Sequence, residues 1–86
     1  ADFLCEFWGK ENDYYKIKTK NKFNKNEDIE VISPDEKFVT QVTEIKNMKG
    51  EELELANTND ELLVKLTNAP KDAEFALART VGIKRV

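Results

Sequence analysis

Histidine is absent from this chain of 86 residues, and cysteine occurs only once. The protein therefore lacks the commonest general base and the commonest metal ligand. A single cysteine excludes an intrachain disulfide and fits a cytoplasmic protein, where thiols stay reduced. No apolar run approaches the roughly 20 residues that a membrane-spanning helix needs, and the first residues do not resemble a signal peptide. We predict no metal, no cofactor and no membrane contact, and we expect the chain to be part of a longer protein.

The composition is that of one small globular domain of mixed charge. Hydrophobic residues make up 40% of the chain and charged residues 36%, which argues against disorder. The formal net charge is -3, so no global basic field attracts nucleic acid or anionic membranes. Any such attraction would need a local patch.

Short strands separated by turns account for most of the chain. In the stretch 21–34, a polar loop at 24–27 precedes a strand at 28–32, where acids alternate with β-branched residues. Pro34 ends this strand because proline has no N–H to donate. The same reasoning predicts further strands at 3–8, 14–20, 38–46, 51–56, 62–67 and 73–79, a loop at 9–13, and turns at 47–50 and 68–72.

Two details refine this pattern. The alternation slips between Val42 and Ile45, which predicts a β-bulge, and Gly50 can take positive φ in its turn. About seven short strands at this spacing predict a small antiparallel β-barrel of six or seven strands, because closure removes exposed edges. We expect the barrel to occupy residues 1–79, followed by a short basic tail at 80–86.

A lysine-rich strand face is the first candidate site. Five lysines on this face and in the loop after it could contact several phosphates, and a neighbouring tyrosine could stack on a base. Lysines also keep a strand edge soluble, which is the alternative. Lys84 and Arg85 would extend the patch if the tail folds back. The candidate residues are Tyr14, Lys16, Lys18, Lys20, Lys22 and Lys25.

The first predicted strand has large apolar residues on both faces. Alternation places Phe3, Cys5 and Phe7 on one face and Leu4, Glu6 and Trp8 on the other. Cys5 is then a small buried hydrophobic residue. Leu4 and Trp8, if exposed, predict a docking surface for another domain.

Carboxylates are the remaining candidates for acid–base chemistry. Clusters occur at 27–30 and 51–54, but a small domain with 17 acidic residues produces such clusters on solvated faces by chance. The segments 35–36 and 57–60 lack the other ligands of a calcium loop. Cys5 has no histidine to activate it. The residues therefore predict no catalytic group, and we do not expect this chain to be an enzyme by itself.

The order of several blocks resembles the C-terminal domain of the collagenase-like peptidases, family U32. The blocks are Asn21-Lys22-Phe23, 28–34, 38–45, Met48-Lys49-Gly50-Glu51, Leu63-Val64-Lys65-Leu66 and Leu77-Ala78-Arg79. The chain departs from the family pattern at three places. Lys22 replaces an arginine, Asn26-Glu27 replaces a Gly-Asp pair, and 57–59 replaces a His-Pro segment.

The resemblance implies a barrel similar to the second domain of elongation factor Tu, appended to a larger catalytic domain. Members of the family are described as peptidases or collagenases, and relatives act in hydroxylation of transfer or ribosomal RNA. The chain would then be a non-catalytic accessory domain of a hydrolase, which positions a protein or peptide substrate or docks on the catalytic domain. The alternative is an RNA-binding module that uses the lysine face.

Overall fold

The structure, a computed structural model, describes residues 3–68, 70 and 76–80. The regular elements of that part of the chain are β1 (Phe3–Glu11), β2 (Tyr14–Thr19), β3 (Phe23–Asn24), β4 (Asp28–Ile32), β5 (Lys37–Lys46), β6 (Glu52–Leu53), β7 (Leu55–Ala56), β8 (Glu61–Leu66) and β9 (Leu77–Thr80). Among these residues no helix is long and apolar enough to cross a membrane.

Six strands close into an antiparallel barrel. Their order is β4-β9-β1-β2-β8-β5, and β5 returns to pair with β4. The closing strand is β4, where Ile29 pairs with Thr40 of β5 on one side and with Thr80 of β9 on the other. Strand β6 adds to β5, while β3 and β7 pair separately. The predicted antiparallel barrel of six or seven strands is confirmed.

The barrel interior is filled by alternate residues of its strands. On β2, Tyr15, Ile17 and Thr19 are buried while their neighbours are partly exposed. The ring of Phe7 meets that of Tyr15 edge-on, with centroids 6.1 Å apart. Because side chains alternate between faces, the register that buries these residues also fixes which residues point outward.

The β1–β2 hairpin is tighter than the sequence predicts. Residues 9–11 continue β1 and do not form a loop, so only Asn12 and Asp13 make the turn. Gly9 instead lies at a bulge, where Phe7 pairs with Ile17 but Gly9 pairs with Lys16. Asn12 takes a φ of 57°, which asparagine tolerates better than most residues.

The register of β1 also shifts between Phe3 and Cys5 opposite β9. As a result both Leu4 and Cys5 point into the core, and Phe3 is 44% exposed. The prediction that Phe3 faces inward and Leu4 outward is therefore wrong. A period-two pattern cannot show a bulge within an all-apolar run, because either residue suits the core.

Two local predictions for the second half of the chain are confirmed. The register of β5 shifts between Val42 and Glu44 against β8, which is the expected bulge. Gly50 takes a φ of 86° in its turn. The strand predicted at 51–56 is interrupted at Glu54 and forms β6 and β7.

The structure describes only some of the residues for which C-terminal elements are predicted. Strand β9 ends at Thr80, which pairs with Ile29 and is therefore part of the barrel, not the start of the tail. Residues 69 and 71–75 of the predicted turn and strand, and 81–86 of the predicted basic tail, lie outside the described residues.

Closure can be tested with two matched valines. Val31 of β4 is fully buried, whereas Val39 of the adjacent strand β5 is 48% exposed. Val31→Ala removes two buried methyl groups and leaves a cavity, so the free energy of unfolding should fall by about 2–3 kcal/mol. Val39→Ala should change it by no more than about 0.5 kcal/mol. Urea denaturation measures both, and equal effects would contradict the observed inward register of β4.

Candidate functional site

The outer surface of the barrel divides into two opposite faces, because β8 and β9 lie three strands apart in the six-strand ring. We call the outer side of β4, β9 and β1 the β9 face, and that of β2, β8 and β5 the β8 face. The outward residues of the β9 face are Phe3, Glu6, Trp8, Glu30, Ile32, Leu77 and Arg79. Those of the β8 face are Tyr14, Lys16, Lys18, Glu44, Lys46, Glu61, Leu63 and Lys65.

Tyr14 connects the strands of the β8 face from the outside. Its hydroxyl reaches from β2 past β8 and donates a hydrogen bond of 2.7 Å to Glu44 Oε1 on β5. Lys65 Nζ lies 3.9 Å from Glu44 Oε2. The ammonium groups of Lys46 and Lys65 lie 4.8 Å and 5.7 Å from the ring centroid of Tyr14, within cation–π range. The ring is therefore held in place by side chains from two other strands.

This arrangement favours the charged forms of Glu44 and Lys46. The hydrogen bond from Tyr14 holds the pKa of Glu44 below its ordinary value, and the positive charges of Lys65 and Lys46 act in the same direction. The pKa of Lys46 is raised, first by its interaction with Tyr14 and further by the negative charge of Glu44. Glu44 and Lys46 therefore both remain ionised at neutral pH.

The predicted lysine face has the expected alternation of outward residues, but it contains charges of both signs. Tyr14, Lys16 and Lys18 do share the outer side of β2. Lys18, however, lies directly between Glu6 of β1 and Glu61 of β8. The positive field of the strand is therefore reduced by carboxylates on the two neighbouring strands.

The other predicted lysines do not join the β8 face. Lys20 Nζ pairs with Glu6 Oε2 at 3.5 Å. Lys25 Nζ pairs with Glu54 Oε2 at 3.7 Å, beside the short β3–β7 pair. Lys22 is exposed just before β3. Lys84 and Arg85 lie outside the described residues.

Sequence reasoning missed the residues that complete the β8 face. Lys65 and Lys46 lie on predicted strands, and the bulge after Val42 sets the outward position of Glu44. Their alternation could have identified them as outward residues. The pairing of β8 with both β2 and β5 brings them to Tyr14, and a single sequence does not show that pairing.

The β9 face is the more apolar of the two. Trp8 is 47% exposed, and its Nε1 donates a hydrogen bond of 3.3 Å to Glu6 Oε1. Leu77 pairs with Glu6 on one side and with Ile32 on the other, and Leu77 and Ile32 are partly exposed. Leu4, the second predicted docking residue, is only 3% exposed. Leu4 therefore belongs to the core and cannot contact a docked domain.

A second row of residues crosses the β9 face and continues onto β5. Arg79 pairs with Phe3 and with Glu30, and Glu30 pairs with Val39. Arg79 Nε donates a hydrogen bond of 2.7 Å to Glu30 Oε1. The row thus has exposed apolar side chains at both ends and a neutralised ion pair between them.

The carboxylate clusters have local structural roles. Glu27 Oε1 accepts a hydrogen bond from the backbone N–H of Asn24, and Glu51 Oε1 accepts one from the side chain of Asn47. No group of three potential metal ligands converges among the residues that the structure describes. Burial raises the pKa of the Cys5 thiol to about 12, with a further contribution from Glu6, so the thiol stays protonated and is a poor nucleophile.

A family model and two solved structures relate this chain to the same kind of domain. The family model of the peptidase family U32 C-terminal domain matches residues 1–79. The chain is similar to the crystal structure of the C-terminal domain of a Geobacillus thermoleovorans protein assigned to the U32 peptidases, with a TM-score of 0.81, 18% identity, and coverage of 94% of this chain and 93% of that chain. For the selenomethionine variant of that domain the TM-score is 0.79 and the identity 18%, with coverage of 93% of this chain and 100% of that chain. No curated protein matches.

The hydrogen bond between Tyr14 and Glu44 can be tested by acid titration. Tyr14→Phe keeps the ring but removes the donor, so the pKa of Glu44 should rise toward its ordinary value of 4.5. A lowered folded-state pKa stabilises the fold above the unfolded-state pKa, and this contribution is lost as pH falls through the folded-state value. The stability advantage of the wild type should therefore shrink on acidification below about pH 4.5.

Carboxyl NMR measures the pKa of Glu44 in both proteins, and chemical denaturation measures their stabilities. An unchanged pKa in Tyr14→Phe would contradict the role of the hydroxyl.

The buried thiol gives the opposite dependence on pH. Ellman's reagent should leave Cys5 unmodified in the folded domain and modify it after unfolding. Since the pKa of Cys5 is raised from 9.0 to about 12, the unfolded state loses its thiol proton first, and stability falls as pH rises between these values. The stability of the wild type should fall relative to Cys5→Ala over that range. Rapid modification at neutral pH would contradict the burial of Cys5.

Proposed function

Because the chain belongs to the family of U32 peptidase C-terminal domains, we propose that it is the non-catalytic accessory domain of a larger U32 protein. The domain docks on the catalytic domain of that protein through the β9 face. Docking holds it next to the catalytic centre, where it helps to position the substrate. The activity of the whole protein resides outside this barrel.

The observation that supports this proposal is the pair of exposed aromatic residues on β1. Phe3 is 44% exposed and Trp8 is 47% exposed. At about 3.3 Å per residue they are roughly 15 Å apart along the strand. Aromatic side chains are enriched among residues that dominate protein interfaces. Two such anchors on one face, with Leu77 beside them, are suited to a partner of domain size.

The charges of the β9 face are compatible with burial. Arg79 is paired with Glu30, and Lys20 with Glu6. A charge that already has a partner within the domain does not become an unpaired buried charge when another domain covers it. Association through this face should therefore depend mainly on apolar contact and only weakly on salt.

The chemistry of the described residues supports a non-catalytic role. The only thiol is buried with a raised pKa. Glu44 and Glu30 are engaged by Tyr14 and Arg79. A nucleophile or a general base has to be accessible to a substrate, and the thiol is not. Each of the two carboxylates already has a hydrogen-bond partner within the domain.

Binding of RNA receives less support from the geometry. Lys18 of β2 lies between Glu6 and Glu61 on the two neighbouring strands. A phosphate backbone that follows this strand would meet both carboxylates. RNA binding is therefore the alternative function, and the docking experiment below includes a test of it.

The docking proposal predicts the effect of a single substitution. Trp8→Ala should weaken association of this domain with the remainder of its parent protein by about 2 kcal/mol, or about thirtyfold in Kd. Met48→Ala is the matched control, because Met48 is 48% exposed in the turn after β5. Isothermal titration calorimetry on the two separate parts measures both variants, with circular dichroism to establish that each is folded.

Equal affinity of the folded Trp8→Ala variant and the wild type would rule out Trp8 as an anchor. A parallel titration with transfer RNA tests the other function. Salt-sensitive RNA binding that is lost in Lys16→Glu/Lys18→Glu, together with no docking, would replace the proposed function by RNA binding.

A further inference from the structure

We propose that the β8 face is a second interaction surface, which binds a short acidic segment of a partner protein. Lys16, Lys46 and Lys65 donate hydrogen bonds to its carboxylates, which occupy alternate residues and therefore lie on the same side of the extended segment. The surface lies on the opposite side of the barrel from the β9 face. Docking and binding of this segment can therefore occur together.

The register of three strands places the cations around one apolar residue. Leu63 of β8 is directly opposite Lys16 of β2 on one side and Lys46 of β5 on the other. Directly opposite residues have Cβ atoms about 5 Å apart, so the two lysines start about 10 Å apart. The side chain of Lys46 extends across β8 to the ring of Tyr14, which lies two residues before Lys16 on β2. Lys65 follows two residues along β8 on the same face.

Tyr14 makes this surface preorganised. Its hydroxyl is fixed to Glu44, and the ammonium groups of Lys46 and Lys65 lie within 6 Å of its ring. These contacts restrict two flexible lysine side chains before any ligand arrives. Less side-chain entropy is then lost when a carboxylate binds.

The distribution of charge favours an anionic partner. Glu44 already accepts a hydrogen bond from Tyr14 and interacts with Lys65. Lys16 makes no ion pair within the described part of the chain, and Lys46 has Glu52 opposite it on the far side, on β6. The centre of the face, around Leu63, is thus cationic.

The borders of the face limit the length of that partner. Glu52 lies on one border, and Glu61, opposite Lys18, lies on another. Three neighbouring strands span about 10 Å, which an extended peptide crosses with about three residues. A nucleic acid would place further phosphates against the bordering carboxylates. A short segment with two acidic side chains at alternate positions fits the face better.

The test uses a six-residue peptide in which glutamate and serine alternate, so that its glutamates lie on one side of the extended chain, titrated into the ¹⁵N-labelled domain. Amide shifts are expected at Lys16, Leu63 and Lys65. Lys16→Gln/Lys46→Gln should weaken binding about fivefold to tenfold, because two exposed charge contacts are lost. Lys37→Gln is a control on the same strand, since Lys37 and Lys46 are the first and last residues of the ten-residue β5, about 30 Å apart. It should bind as the wild type does.

Three comparisons make the result decisive. A peptide with glutamine in place of glutamate should bind at least fivefold more weakly than the acidic peptide. Trp8→Ala should bind the acidic peptide normally, so a failure of docking leaves this result interpretable. The proposal is overturned if the face shows no shifts at millimolar acidic peptide, if the double lysine variant binds equally well, or if hexauridylate binds the face in preference to the peptide.

Discussion

The closure of the sheet at β4 is the constraint on which the rest of the structure depends. Five residues of this strand pair with β5, and four of them pair with β9. With both sides paired, the strand has a fixed register, and a shift by one residue would exchange its two faces. Ile29 and Val31 would then leave the core, and Glu30 would enter it. The burial of two β-branched residues therefore also fixes the ion pair of Glu30 with Arg79 on the outside.

The features that the sequence predicts well are those encoded within one strand. The bounds of β4 follow from a period-two pattern ended by Pro34, and both agree with the structure. The outward position of Lys16 and Lys18 follows from the buried neighbours of β2. The bulge in β5 is visible because the polar alternation of that strand breaks once. In each case the residues that carry the information are adjacent in the chain.

The features that escape prediction depend on strands that are distant in sequence. The hydrogen bond of Tyr14 joins residues 30 positions apart, and the two acids opposite Lys18 come from β1 and β8. The charge of a face is a property of three neighbouring strands, so the lysines of β2 alone suggested a more basic surface than exists. Leu4 escapes for a different reason. Phe3 and Cys5 on either side of it are also apolar, so the sequence does not reveal the register shift against β9.

Closure also decides how this domain can recognise another molecule. In the described residues each barrel strand pairs with a neighbour on both sides, so no strand of the barrel has a fully open edge. Recognition by the two faces described above therefore uses outward side chains. These side chains are apolar with internally paired charges on one face, and cationic around Leu63 on the opposite face. One small core thereby supports two surfaces of different chemistry.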